Sequence, residues 1–105
     1  MSPGGRGIVN TSDRLSALSG EIAEEQTQLR ILEEQVVFQQ EVSEEARIRA
    51  LVSETPLADR EARDAADDLR RLVRSRDDTA GRLAELRAEQ DALLERMFAE
   101  VQEST

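Results

Sequence analysis

The sequence predicts an all-α fold: two long helices forming an antiparallel coiled-coil hairpin, which pairs with a second copy as a four-helix bundle. Three observations predict it. The first is composition. Of 105 residues, 35% are charged and 2% aromatic, with no Trp or Tyr. A compact core normally uses large rings to bury area, whereas a mix dominated by Ala, Glu, Leu and Arg belongs to long helices. The second is spacing. Apolar residues recur in a 3-4-3-4 pattern along two stretches, and no strand-like alternation occurs. The third is a single break at Ser53-Glu54-Thr55-Pro56 between those stretches. One break between two heptad stripes makes the second helix fold back on the first.

Residues 1–11 read as a disordered arm, because Ser-Pro-Gly-Gly-Arg-Gly cannot hold a helix. Asn10, Thr11 and Ser12 are each good N-caps, and Asp13 suits a first turn. The first helix is expected over about 12–52, the turn over 53–55, and the second helix over about 56–101, with 102–105 frayed. Thr55 fits the N-cap of the second helix. Pro56 fits its first position, where a missing N–H costs nothing. Gly20 and Gly81 are interior weak points, each costing on the order of 1 kcal/mol against Ala.

On the first helix the stripe is Leu15, Leu18, Ile22, Glu25, Leu29, Leu32, Val36, Gln39, Ser43, Ala46, Ala50. On the second it is Ala58, Ala62, Ala65, Leu69, Leu72, Arg76, Thr79, Leu83, Leu86, Gln90, Leu93. A turn centred on Glu54 sets every seam residue against another, from Ala50 with Ala58 to Leu15 with Leu93. The same register puts Arg47 opposite Glu61, Arg49 opposite Asp59 and Glu21 opposite Arg87. Each such pair adds only a few tenths of a kcal/mol. Together they favour this register over slipped ones. Small residues near the turn let the helices approach closely. Farther out, Glu25, Gln39, Arg76, Thr79 and Gln90 put polar groups into the seam. There they must either reach outward or be covered by a larger bundle.

A lone hairpin needs one stripe per helix, and this chain has an apolar surplus. Ile31, Val37, Phe38, Val42 and Val73 lie off the seam and are expected to form a self-association face. Phe38, Val42 and Val73 should stand at similar height on one flank. The alternative is scattered surface apolar residues, which are common. Ile48, Leu51, Val52 and Leu57, with Asp59 and Glu61, read either as a docking knob at the tip or as a cap closed over the turn. Leu94, Phe98 and Val101 beyond Met97 form a third cluster, over which Ile8 and Val9 are expected to fold.

The residue types limit the chemistry. With no His and no Cys, the chain cannot build a Ser-His-Asp triad, a Cys-His pair or a Cys/His zinc site. The pairs Glu24-Glu25, Glu33-Glu34 and Glu44-Glu45 lack the His companions of helical di-iron sites and suit a solvated helix face. Gly4-Gly5-Arg6-Gly7 precedes no strand and is no phosphate loop. No catalytic, metal or cofactor residues are assigned, and a non-enzymatic protein is expected. A basic cluster, Arg70, Arg71, Arg74 and Arg76, could grip an anion such as a nucleotide. Alternatively it pairs with Asp67, Asp68, Asp77 and Asp78 along its own helix.

A net charge of −9 argues against direct nucleic-acid binding, which needs a basic face, and against anionic membrane surfaces. No run approaches the roughly 18 apolar residues of a membrane span. Met1 to Asn10 lacks the apolar stretch of a secretory signal, so a cytoplasmic location is expected.

The stretch Glu45-Ala46-Arg47-Ile48-Arg49 and the acidic turn resemble the tip region of the coiled-coil arm of transcript-cleavage factors. That resemblance is confined to this stretch and implies RNA polymerase as a partner. The spacing of Glu, Ser, Arg, Gln and Asp by which anti-sigma hairpins bind a cyclic dinucleotide is absent. The leading expectation is therefore a small adaptor or regulatory subunit that binds a protein partner and itself as a homodimer. The alternatives are a transcription regulator acting on RNA polymerase or a sigma factor, and a sensor of an anionic nucleotide at the Arg cluster.

Overall fold

The computed structural model describes the backbone of residues 3–103 and the side chains of residues 10–103. It is all-helical among those residues. Helix α1 spans Pro3–Ser53 and helix α2 spans Pro56–Glu103, packed as a hairpin. The first helix starts at Pro3 rather than at the expected Ser12, so the stretch read as an arm is helical from Pro3 on. The helix continues through Gly4, Gly5 and Gly7 against their intrinsic cost of about 1 kcal/mol each. Pro3 occupies a helix start, where a Pro is well tolerated. Met1, Ser2, Ser104 and Thr105 lie outside the described residues, as do the side chains of Ile8 and Val9 expected to fold over the end of α2.

The turn is two residues, Glu54 and Thr55. Glu54 takes a left-handed φ of 52°. Its N–H donates to the Ala50 carbonyl at 3.1 Å, which closes α1 in a left-handed C-terminal cap. Thr55 then caps α2. Its Oγ1 accepts from the Ala58 N–H at 3.1 Å, and its carbonyl accepts from the Asp59 N–H at 3.0 Å. Pro56 follows as the first helical residue, where its missing N–H leaves no donor unpaired.

The packing divides the chain into two units. One is Gln28–Ala80, the half that contains the turn. Its buried side chains are Leu32, Val36, Ala46, Ala58, Ala65 and Thr79. Alanines facing one another keep the two helices close there. Gln39, a seam residue, donates from Nε2 to the Ala65 carbonyl across the hairpin at 3.1 Å. Arg76 turns outward to Asp77, with Nε at 3.1 Å and Nη2 at 3.0 Å from Oδ1.

The other unit comprises the residues up to Thr27 and those from Gly81 onward. Leu18, Ile22 and Leu83 are buried there, and Leu18 is fully so. Leu15, Leu86, Gln90 and Leu93 are half-buried around them. Arg14 bridges the two helices. Its Nε lies 2.5 Å from Glu89 Oε2, its Nη2 lies 2.9 Å from Oε1, and Glu21 stands 3.5 Å away. Glu25, the charged seam residue, lies 3.6 Å from Arg82 Nε.

All the residues classed as buried belong to the expected stripes, and the other stripe positions are half-buried. The flanking ion pairs differ from expectation. Arg47 bonds Glu44 on its own helix at 2.7 Å, not Glu61, and Glu21 pairs with Arg14, not Arg87. Arg47 and Glu44, three residues apart, are held at bonding range by their shared helix. Arg14 and Glu21 stand two turns apart on one face of α1, and Arg14 also reaches across to Glu89.

Candidate interaction surfaces

The residues expected to bind partners fall into separate places. On the turn-containing unit, Ile31 and Phe38 line one open hollow with Glu34, Gln35, Gln39 and Leu72. Phe38 is 66% exposed. Two turns of α1 separate Ile31 from Phe38, so both project from the same face. Leu72 of α2 forms the floor, half-buried in the seam. Val37, one residue away and so about 100° around the helix, lines a different hollow with Gln40, Glu41, Glu44 and Glu45.

Val42 and Val73 are both half-buried. Val42 lies four residues from Phe38 and shares its face of α1, whereas the expectation that Val73 stands on that same flank does not hold. The Arg14–Glu89 bridge shows how flanks meet: each of these residues immediately precedes a seam residue, Leu15 and Gln90 respectively. In an antiparallel pair, positions before the seam on one helix face positions before the seam on the other. Val42 precedes Ser43 while Val73 follows Leu72, so the same heptad sets them on opposite flanks. The single face read from the sequence therefore divides into a face carrying Ile31, Phe38 and Val42 and the separate positions of Val37 and Val73.

The tip residues are all exposed. Ile48, Leu51, Val52 and Leu57 stand outside the seam, Val52 at 79% exposure, and Asp59 and Glu61 are exposed beside them. They are not folded over the turn as a cap. The turn explains why. With only two residues between helices, capping is completed by Thr55 and the left-handed Glu54, leaving no loop for apolar side chains to cover.

In the Arg cluster, Arg70 pairs with Asp67, Arg71 with Asp68 at 2.8 Å, and Arg76 with Asp77 at 3.0 Å. These are the local pairs that the spacing allows as the alternative to an anion site. Arg74 is exposed on the same helix.

Two features were not found by reading the sequence. One is the Arg14–Glu89 bridge. Hydrogen bonding to Arg14 holds the Glu89 carboxyl below the usual carboxylate range, and the Arg14 guanidinium is correspondingly raised. Glu44 is likewise lowered, by its hydrogen bond from Arg47. The other is an acidic hollow lined by Glu21, Glu24, Glu25, Glu85 and Glu89 around Arg82 and Leu86. Inside it the Glu25 Oε2 atom is buried with no hydrogen bond, its charge met by Arg82 at ion-pair distance. Flank positions preceding the seam on both helices would have indicated both features.

Among the described residues no group of three or more carboxylates gathers as it would around a metal ion. No described helix is long and apolar enough to cross a membrane. The chain matches no known protein-family model, no curated protein and no solved structure.

Proposed function

We propose that this chain is a non-enzymatic helical-hairpin module that binds proteins, with a second copy of itself as one partner through the Ile31–Phe38 face. The observation that carries the reading is the exposure of large apolar side chains outside a seam that is already filled. The stripes account for the buried residues, so Phe38, Ile31 and Leu57 add nothing to the seam. An exposed ring and branched chains around a hollow floored by Leu72 suit the knob-and-hole packing by which helices associate. In this reading two hairpins associate into a four-helix bundle, and the tip residues remain available for an unlike partner. The adaptor or regulatory role rests on the same feature.

The test is solution mass by light scattering, for the wild type and for Ile31→Glu/Phe38→Glu. These two residues are chosen because they share one hollow. The expected result is a dimer for the wild type and a monomer of unchanged helicity for the variant. A wild-type mass of one chain at tens of micromolar overturns the self-association reading. In that event a different protein becomes the partner sought for the same face.

A further inference from the structure

We draw no further inference here: the strongest candidate, the apolar hollow lined by Leu94, Met97, Phe98 and Val101 on the last turns of α2, carries nothing because nothing in the structure shows what covers it.

Discussion

Gly20 and Gly81 sit in helix interiors where an added Cβ would meet nothing within 4 Å. Neither position needs a left-handed backbone, since no described glycine has a positive φ. Replacing each by Ala is therefore expected to raise stability by about 1 kcal/mol, measured as the shift in the urea midpoint at unchanged slope. Glu54 is the opposite case. Its left-handed φ of 52° strains a residue with a Cβ, and Gly is the usual occupant of that cap. Glu54→Gly is expected to stabilise by about 0.5–1 kcal/mol, with part of the relief offset by the added freedom of glycine in the unfolded chain. In the seam, Leu18 is fully buried. Leu18→Ala should cost about 3 kcal/mol, from lost transfer energy and the cavity left behind. A thermal denaturation series that ranks Leu18→Ala no worse than the exposed Leu51→Ala would contradict this account of the core.

Each helix is specified by a stripe that alternates spacings of three and four, and by what its polar members do. The stripe was legible because heptad spacing maps directly onto one face. The fate of Gln39, Arg76 and Glu25 was not, because it depends on groups brought near by the other helix or along the same surface. Gln39 finds the Ala65 carbonyl, Arg76 finds Asp77, and Glu25 finds Arg82. Gln39 and Arg76 are answered by hydrogen bonds within the hairpin, and Glu25 by ion-pair distance alone, so the case for a dimer rests on the exposed apolar residues. The Arg14–Glu89 bridge yields a pH prediction. A carboxyl lowered in the folded state contributes stability that is present above its unfolded pKa and lost as pH falls through its folded one. The stability difference between wild type and Glu89→Gln should thus be constant from pH 7 to about pH 5. It should shrink as the pH falls below the ordinary carboxylate range. Chemical denaturation at a series of pH values checks it. A difference that grows on acidification would have the wrong sign for this pair.

For the molecule as a whole, two helices alone bury little per residue, and only a short list of side chains is fully enclosed. A chain of this kind gains stability by mass action when it associates. If the Ile31–Phe38 face joins two copies, the melting temperature should rise with protein concentration for the wild type. The rise should be absent in Ile31→Glu/Phe38→Glu, whose substitutions leave the seam intact. Calorimetry over a hundredfold concentration range reads this independently of the mass measurement. A flat melting temperature for the wild type would argue that the hairpin stands alone.

The sequence by itself determined the two-helix hairpin, the neighbourhood of its turn and the stripes that form the seam. Those follow from local spacing, from the N-cap chemistry of Thr55 and Pro56, and from the absence of any competing pattern. The N-terminal bound of α2 at Pro56 was legible for the same reason, while α1 runs past its expected end at 52 to Ser53, because Glu54 takes the left-handed cap. The N-terminal bound of α1 was not, since Gly4, Gly5 and Gly7 argue locally against the helix found there. Only the tertiary structure decided which flank each off-seam residue occupies. A one-position shift on either side of the seam is invisible in an apolar count, yet in an antiparallel pair it sends Val42 and Val73 to opposite sides. It also decided that Arg14 meets Glu89, which the hairpin brings opposite it, while Arg47 stays with Glu44 one turn away on its own helix. Local spacing fixes what a helix buries against its neighbour; the geometry of two antiparallel helices fixes what remains outside for a partner.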